Sequence, residues 1–276
     1  MEDKEKSGDV HRMDGELIKG ASPDIMCSCL SSGEWQDKST VVPREMALAI
    51  YVNTKELVTI LCTPTKLNCL VLGFLYSEGI ITSTNDIASM RVCEDDSLVD
   101  VRLNRAGFTP PERRTLATGC GGGVSFTSKL AEVDSDLVVK ADEVMSLMKQ
   151  LNEKAELYKY CGGVHTSALS DNNNLLVVAE DIGRHNTLDK ITGECLLRHI
   201  STRDKLLLTT GRISSEMLGK ASRMMTPVVI SRSSPTDRSI SIARELGITL
   251  IGYVRGNRLS VYTHKERLQG ASLSKN

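Results

Sequence analysis

Residues 206–224 read LLLTTGRISSEMLGKASRM, which is an apolar run of strand length, a Gly-Arg loop and then a helical pattern. The same order recurs before and after this stretch, and the other strands predicted there are Leu175–Ala179, Val228–Ser231, Thr249–Tyr253 and a returning Leu259–Tyr262. Strands that alternate with helices predict a largely parallel sheet with crossover helices. We therefore expect residues 136–276 to form an α/β domain that begins with an amphipathic helix over about Ala141–Tyr158.

The amino-terminal part has a different pattern, with short strands rather than strand–helix repeats. Strands are predicted at Met46–Tyr51 and Leu57–Cys62. Thr63-Pro64 predicts a helix start, because a capping hydroxyl precedes a proline at the first helical position. Residues 41–135 are thus expected to form a smaller α+β subdomain that ends in a glycine-rich cysteine loop. Residues 1–40 are polar without a sustained period, which predicts a partly disordered tail.

The composition is that of a globular protein, because the 276 residues are 40% hydrophobic and 25% charged. The net charge of −1 argues against a general nucleic-acid-binding protein. The charge is unevenly distributed: residues 201–276 carry 13 Lys and Arg against 5 Asp and Glu, which leaves 21 against 30 for residues 1–200. A basic C-terminal third favours an anionic ligand or partner, although solvent-exposed helix faces rich in arginine would give the same count.

The sequence shows neither a secretory signal nor a membrane span. It begins with the polar residues MEDKEK, and its most apolar segment, Leu67–Tyr76, is too short to cross a bilayer. We expect a cytoplasmic protein that binds neither membranes nor nucleic acid, with reduced thiols. No Cys-x-x-Cys pair occurs, and Cys27-Ser28-Cys29 is too closely spaced for an ordinary structural zinc site, so no metal is predicted. The eight cysteines are Cys27, Cys29, Cys62, Cys69, Cys93, Cys120, Cys161 and Cys195.

Cys120 differs from the other cysteines because it lies in the run TGCGGG, residues 118–123, with glycine on both sides. Glycine lacks a Cβ and lets the backbone approach another surface closely, so the sulfur is offered on a loop. Arg113 and Arg114 lie just upstream, and nearby guanidinium groups favour the reactive thiolate. The residues alone leave two interpretations open, a reactive thiol and a surface turn that happens to contain a cysteine.

Arginine recurs in the loops at the carboxyl ends of the predicted strands, where open parallel sheets bind ligands. These arginines are Arg184, Arg212, Arg232, Arg255 and Arg258. Two of the loops also carry serines, Ser214 and Ser233, directly before helices whose free N–H groups can bind phosphate. Arginine adds charge-assisted hydrogen bonds to phosphate oxygens. The pattern predicts a phosphate-bearing, nucleotide-like ligand, although helix capping by the hydroxyls alone is an alternative.

His165 and His185 lie beside glycine turns, and either could orient or protonate a ligand, although a single histidine is more often structural. The acidic residues Glu180, Asp181 and Asp189 lack the arrangement of a paired-carboxylate catalytic centre. No Gly-x-Ser-x-Gly, phosphate-binding P-loop or dinucleotide fingerprint is present, which argues against the enzyme classes that depend on those motifs.

Six segments carry a family resemblance: LGFLYSEG at 72–79, TGCG at 118–121, GVHTSAL at 163–169, EDIGRHNTLDK at 180–190, GRIS at 211–214 and GYVRGNR at 252–258. Together they resemble the formate dehydrogenase accessory sulfurtransferases, the FdhD family. The resemblance extends from about residue 40 to about residue 268, and the block at 180–190 is its most specific part.

The resemblance implies a sulfur carrier, that is, a sulfurtransferase. Members of the family take persulfide sulfur from a cysteine desulfurase and pass it to the molybdenum or tungsten bis(molybdopterin guanine dinucleotide) cofactor that formate dehydrogenase needs. Cys120 matches the cysteine that carries the persulfide. The resemblance also implies a fold similar to that of cytidine deaminases, a homodimer, and the desulfurase and formate dehydrogenase apoprotein as partners. The family's cofactor-binding segment matches Tyr253, Val254, Arg255, Gly256, Asn257 and Arg258.

One position departs from the family, since many members have a Cys-x-x-Cys pair in the loop and this chain has Gly123 at the second position. The chemistry would then run on Cys120 alone or with a distant cysteine. The alternatives are a non-catalytic chaperone for the molybdenum cofactor and a zinc nucleoside deaminase, which lacks support because no Pro-Cys-x-x-Cys occurs. The other predicted cofactor-binding residues are Arg212, Ser214, Arg232, Ser233, His165, Arg184 and His185.

Overall fold

The computed structural model describes residues 18–105, 107–108, 115–117, 123–125, 130 and 132–270. The first elements are two antiparallel strands, β1 (Ala21–Ser31) and β2 (Glu34–Pro43), which form a hairpin. Ser32 and Gly33 make its two-residue turn with φ angles of 53° and 85°. Positive φ at both central residues is what a tight turn of type I′ requires.

The prediction of a partly disordered tail over residues 1–40 is therefore wrong for residues 21–40, whereas residues 1–17 lie outside the described residues. The sequence does not signal this hairpin, because both faces of its outer half are exposed and no apolar–polar alternation marks the strands. Its inner end is anchored, since Ala21 and Val41 pack with Leu157 of the second domain.

A four-stranded sheet with the order β4-β3-β6-β5 follows the hairpin. Its strands are β3 (Met46–Val52), β4 (Lys55–Cys62), β5 (Ile87–Cys93) and β6 (Leu98–Leu103). β3 is parallel to β6, and the other two pairs are antiparallel. The apolar residues of helix α1 (Leu67–Ser77) join the buried face of this sheet in one core. These elements confirm the two predicted strands and give this part an α+β architecture.

α1 begins later than the sequence predicts. Lys66, at φ 50°, precedes the first helical residue, and no side chain caps the helix. Thr63, the predicted cap, instead bonds to the second domain. Its N–H donates to Asp181 Oδ2 at 3.0 Å, and its Oγ1 accepts from the N–H of Ile182 at 3.1 Å. The Thr63 hydroxyl thus bonds to the second domain instead of capping α1 as the local sequence pattern predicts.

Short strands lead from the first domain into the second. β7 (Thr115–Ala117) and β8 (Gly123–Ser125) are antiparallel and flank residues 118–122. β9 (Val139–Lys140) precedes helix α2 (Ala141–Glu153). A separate helix, α3 (Glu156–Cys161), follows, so the single helix predicted over 141–158 is two helices. The carboxylate of Glu180 stabilises the amino terminus of α3 by accepting hydrogen bonds from two N–H groups of its first turn.

The second domain is built on a six-stranded sheet with the order β11-β10-β12-β13-β14-β15. Its strands are β10 (His165–Ser170), β11 (Leu175–Asp181), β12 (Leu206–Thr209), β13 (Val228–Ser231), β14 (Thr249–Arg255) and β15 (Arg258–Val261). The helices between them are α4 (Arg184–Arg198), α5 (Ser215–Arg223) and α6 (Asp237–Glu245). The last strand, β16 (Leu268–Gln269), is parallel to β9.

The prediction of a mostly parallel sheet is wrong. Only the pairs β12–β13 and β13–β14 are parallel, and the other three pairs are antiparallel, so the sheet is mixed. The reason is β10, which the sequence analysis does not identify as a strand. It inserts between β11 and β12 as the hairpin partner of β11.

Helices cover both faces of the six-stranded sheet. Leu207, Val229 and Leu250 belong to a core shared with α4, α5 and α6. Their neighbours along the strands, such as Leu208 and Ile230, belong to a second core shared with α2. This alternation is what a strand buried on both faces requires, and it explains why β12 and β13 are apolar up to their last residues, Thr209 and Ser231.

The two domains meet where α1 packs against α4, and two glycines allow the contact. A Cβ on Gly73 would overlap the carbonyl oxygen of Asp189, and a Cβ on Gly193 would overlap the carbonyl oxygen of Cys69. Each helix therefore presents its bare backbone to the other. The two backbones could not come this close with any larger residue at either position.

Two buried ion pairs reinforce this seam. Lys190 Nζ lies 2.6 Å from Asp181 Oδ2 and donates to the carbonyl oxygen of Thr63 at 3.0 Å. Lys220 Nζ donates to both carboxylate oxygens of Asp189, at 2.7 and 2.9 Å. Burial alone would lower the pKa of Lys220, but the nearby carboxylates, that of Asp189 first, outweigh it and raise that pKa. Lys220 is thus held as a cation by the carboxylate of Asp189.

Gly73→Ala is expected to lower the free energy of unfolding by about 1–3 kcal/mol or more, because the added methyl group overpacks the α1–α4 seam. The matched control is Gly219→Ala in α5, where the Cβ would meet only a methyl group of Leu130 at 3.4 Å. There alanine should stabilise the helix by up to about 1 kcal/mol. Chemical denaturation followed by circular dichroism compares the two variants, and equal stabilities would contradict the proposed close packing.

Candidate functional site

Most of the residues that the sequence predicts to form the site lie at one edge of the six-stranded sheet. β11, β12, β13 and β14 all run in the same direction, because β10 is antiparallel to both β11 and β12. Their carboxyl ends therefore lie along a single edge, together with the amino end of β10. We call this the loop edge. It comprises His165, the first turn of α4, and the loops at 182–183, 210–214, 232–236 and 256–257.

His165, Arg184 and Gly211 meet at the loop edge. A Cβ on Gly211 would lie 3.0 Å from Arg184 Cβ and 3.4 Å from His165 Nδ1. Glycine at this position lets the arginine and the histidine pack side by side. Burial, followed by the charge of Arg184, lowers the pKa of His165 and favours its neutral form. Two predicted ligand-binding residues from distant parts of the chain are thus neighbours.

His185, in the first turn of α4, faces the start of α5. Its Nε2 lies 3.1 Å from Ser214 Oγ and 3.4 Å from Glu216 Oε2. Burial, followed by the charges of Arg184 and Lys220, lowers the pKa of His185 to about 3. Burial also raises the pKa of Glu216. The imidazole is therefore neutral at physiological pH, and its contact with Glu216 is not an ion pair.

The hydroxyl groups of Ser214 and Thr236 cap helices. Ser214 Oγ accepts from a backbone N–H in the first turn of α5, and Thr236 Oγ1 does the same in α6. The capping alternative is confirmed for these two residues. It does not account for the arginines, because Arg212 and Arg232 are exposed beside these helix starts.

Buried hydroxyl groups at the strand ends fix the loops. Ser231 Oγ donates to the carbonyl oxygen of Gly211 at 2.7 Å and accepts from the N–H of Ser233 at 2.9 Å. Thr209 Oγ1 accepts from the N–H of Gly211 at 3.1 Å. Thr209 and Ser231 are not among the site residues predicted from the sequence. The signal that could have found them is a single hydroxyl residue at the end of an apolar strand, as in LLLT and VVIS.

Arg232, Arg255 and Arg258 form the far part of the loop edge. Arg255 Nε donates to the carbonyl oxygen of Arg232 at 3.2 Å, which ties the last two loops together. Arg255 is also paired with Arg258 across the turn between β14 and β15. All three side chains are exposed, as is Arg212. A row of exposed guanidinium groups suits a ligand with several anionic groups.

The segment 253–258 divides into exposed and buried residues. Tyr253 is 46% exposed and has φ 53°, whereas Val254 is 1% exposed and belongs to the core beneath the sheet. The prediction that Val254 binds cofactor is therefore wrong for its side chain. Gly256, at φ 54°, and Asn257 make the exposed turn.

The block EDIGRHNTLDK at 180–190 serves two purposes. Its buried acidic and lysine residues form the ion pairs of the domain seam described above. Asn186 Nδ2 donates to Asp181 Oδ1 and to a main-chain carbonyl of β4, both at 2.8 Å. Arg184 and His185 are the residues of this block that are predicted to bind a ligand at the loop edge. Most of the described side-chain contacts of this block therefore join the two domains.

Cys120 lies outside the described residues, but the chain on both sides of it is described. β7 and β8 pair upstream and downstream of residues 118–122. Further on, Leu130 Cδ2 packs against α5, 3.4 Å from where a Cβ on Gly219 would lie. The chain that follows the cysteine thus returns to the helix whose first turn borders the loop edge.

Several of the described cysteines are poor nucleophiles. Burial raises the pKa of Cys62 and that of Cys195 to about 12. It also raises the pKa of Cys69 and of the half-buried Cys161. Among the residues that the structure describes, no three His, Cys, Asp or Glu side chains are placed to hold a metal ion. None of the described helices combines the length and apolar character of a membrane span.

The neutral His185 makes stability depend on pH. Its pKa is about 3 in the folded protein against an ordinary value of 6.5, so the unfolded chain binds more protons between these values. This contribution to stability is complete above about pH 6.5 and falls by up to about 1.4 kcal/mol per pH unit below it. His185→Gln should remove that slope in denaturation experiments at a series of pH values, and the difference at about pH 8 gives the non-titrating cost of the substitution. The same slope in both proteins would contradict a buried neutral imidazole.

Comparisons with known proteins agree with the sequence resemblance. The model of the FdhD/NarQ family matches residues 43–269. A Bacillus pumilus (strain SAFR-032) protein named Sulfur carrier protein FdhD is 40% identical over 247 residues, which are 86% of this chain and 93% of that protein. A Bacillus subtilis (strain 168) protein of the same name is 40% identical over 238 residues, 82% of this chain and 89% of the relative. A crystal structure from Desulfotalea psychrophila, described as a formate dehydrogenase accessory protein, matches with a TM-score of 0.77 at 26% identity and covers 91% of this chain and 100% of its own. The chain belongs to the FdhD/NarQ family.

Proposed function

We propose that this protein is a sulfur carrier that holds sulfur as a persulfide on Cys120. It passes the sulfur to the molybdenum or tungsten bis(molybdopterin guanine dinucleotide) cofactor of formate dehydrogenase. The proposal rests on the gathering of five arginines and two histidines at one edge of the sheet. The relatives named sulfur carriers support it. In this reaction the cofactor is the sulfur acceptor, that is, a substrate.

The first step is an exchange between a thiol and a persulfide. The thiolate of Cys120 attacks the outer sulfur of a persulfide on a cysteine desulfurase. The S–S bond breaks, and its electron pair leaves with the desulfurase thiolate, so that no external oxidant is needed. Cys62 and Cys195 cannot serve instead, because at a pKa of about 12 their thiolates are scarce.

The loop edge supplies the groups that a phosphate-rich acceptor needs. Each guanine dinucleotide arm carries a pyrophosphate, and the exposed side chains of Arg212, Arg232 and Arg258 can each form two parallel hydrogen bonds to phosphate oxygens. The amino terminus of α5 adds the positive end of its dipole. The neutral imidazoles of His165 and His185 can donate hydrogen bonds without adding charge.

The distances along the chain allow the sulfur to reach this edge. Cys120 is ten residues from Leu130, and ten extended residues span up to about 35 Å. Leu130 contacts α5 at Gly219, and the whole of α5, with nine residues, is only about 14 Å long. This upper bound on chain length exceeds the length of α5, so chain length by itself does not prevent the proposed transfer.

Further features belong to the same proposal. The protein acts as a sulfurtransferase in the cytoplasm, as a homodimer, with a cysteine desulfurase and formate dehydrogenase apoprotein as its partners. Its C-terminal domain shares the architecture of cytidine deaminases, for which a mixed sheet covered by helices on both faces is suitable. The deaminase chemistry itself is not proposed, because the zinc-binding Pro-Cys-x-x-Cys is missing from the sequence.

Cys120→Ala should abolish the maturation of formate dehydrogenase in cells that lack the native copy, because no persulfide can be carried. Intact-mass analysis after incubation with desulfurase and cysteine should show a gain of one sulfur atom on the protein that retains Cys120 and none on the variant. Cys93→Ala, which changes a half-buried cysteine in β5, is the matched control and should behave as the unmodified protein does. Normal maturation with Cys120→Ala would instead favour a non-catalytic cofactor chaperone.

Arg258→Ala should weaken the binding of GDP, used as a probe for the dinucleotide arm, by about 1–3 kcal/mol, since one charged hydrogen-bonding group is lost. Titration calorimetry measures the effect. Arg244→Ala removes the same charge at the end of α6, away from the loop edge, and should leave the affinity unchanged. Equal affinities of the two variants would remove the 253–258 segment from the site.

A further inference from the structure

Two thiols away from the loop edge lie next to each other on the β1–β2 hairpin. Cys27 Sγ and Cys29 Sγ are 3.8 Å apart, within hydrogen-bonding distance for sulfur. They share a face of β1 because alternate residues of a strand point to the same side. Both are only half-buried, so a dissolved reagent can reach them. The proposed carrier function makes no use of either thiol.

The surroundings give the two thiols different roles. Partial burial and the Cys29 sulfur raise the pKa of Cys27, whereas Lys38, its partner on β2, lowers it. The Cys27 thiol therefore keeps its proton and can donate a hydrogen bond to the Cys29 sulfur, 3.8 Å away, so we assign the first attack to Cys29. In such a pair the thiolate attacks first and the protonated neighbour follows.

The spacing permits a disulfide but does not favour a permanent one. Two residues along an extended strand place their Cα atoms up to about 6.8 Å apart, which is the upper end of the range that disulfides span. A bond closed at that limit is strained and readily reduced again. This is the behaviour of a reactive disulfide rather than of a structural one.

Sulfur transfer creates a need for such a pair. The outer sulfur of a persulfide must gain two electrons before it can be released as sulfide, and a second thiol usually supplies the attack that achieves this. The loop around Cys120 has glycine rather than cysteine at residue 123. A resolving thiol must therefore come from another part of the chain or from another molecule.

We propose that Cys27 and Cys29 form a dithiol that reduces a persulfide to sulfide, an inference that rests on the proposed carrier function. Cys29 attacks the inner sulfur of the persulfide, and the electron pair of the broken S–S bond leaves with the outer sulfur as hydrosulfide. Cys27 then attacks the Cys29 sulfur of the mixed disulfide, releases the carrier thiol and closes the Cys27–Cys29 disulfide. One persulfide and two thiols give one thiol, one sulfide and one disulfide. The dithiol gives up two electrons to the outer sulfur, and its two protons pass to the released thiol and sulfide.

The full-length Cys120→Ser variant tests the dithiol in isolation, with glutathione persulfide as the probe. Sulfide should be released in proportion to the Cys27–Cys29 disulfide, which differential alkylation and peptide mass spectrometry identify. Trp35, the single tryptophan, lies on the same hairpin opposite Leu30, so its fluorescence offers a second readout without further mutation. Sulfide release with both thiols still reduced, or no release at all, would overturn the proposal.

Single substitutions in that background separate the two roles. Cys29→Ser should slow sulfide release by about tenfold or more, because the attacking thiolate is lost. Cys27→Ser should still release sulfide but trap glutathione as a mixed disulfide on Cys29. Cys93→Ser, which changes another half-buried cysteine, should match the parent. Identical behaviour of Cys29→Ser and Cys93→Ser would overturn the assignment.

The carrier function is tested separately in a Cys27→Ser/Cys29→Ser variant that retains Cys120. Its gain of one sulfur atom from a desulfurase should equal that of the unmodified protein. Failure of that gain would count against the carrier function. Failure of sulfide release in the Cys120→Ser experiment would count against the dithiol alone. The two proposals are therefore contradicted by different results.

Discussion

The buried ammonium group of Lys190 links the two domains at the point where they meet. It is fully buried, and its partners come from both domains: Asp181 at the end of β11 and the carbonyl oxygen of Thr63 after β4. Removing one partner of such a pair costs about 3–5 kcal/mol, because the other charge remains buried without compensation. Since Lys190 lies in α4 and Asp181 directly precedes it, the same pair fixes how α4 leaves the sheet. The positions of Arg184 and His185 depend on that geometry.

Much of the fold could be predicted where burial imposes a regular pattern. β3 alternates buried and partly exposed residues, and β13 is apolar on both faces, so both strands could be identified from their residues. The β1–β2 hairpin could not, because its outer strands are exposed on both faces. β10 contains the buried polar residues Thr166, Ser167 and Ser170, so its residue pattern is not that of an apolar central strand. The Thr166 hydroxyl donates to Glu180 Oε1, and the Ser167 hydroxyl donates to Thr209 Oγ1. The mixed sheet follows from that one unrecognised strand.

The site could be predicted as a set of residue types but not as an arrangement. Loops at strand ends that repeat arginine indicate an anion site, because the carboxyl ends of strands that run in one direction share an edge. The neutral state of His185 depends on burial and on charges from α4 and α5, which no local pattern reveals. Val254 shows that a motif does not reveal which of its side chains are exposed, because this residue lies within the predicted binding segment while its side chain belongs to the core.

The glycine-mediated contact between α1 and α4 has a mechanical consequence. Backbones that touch directly leave no layer of side chains along which one domain could slide or rotate against the other, and two buried ion pairs involve residues of the same helix α4. Hinge closure of the kind that many two-domain proteins use to enclose a ligand is therefore blocked here. The two domains are therefore expected to move together, and the loop edge should keep a fixed position relative to the first domain.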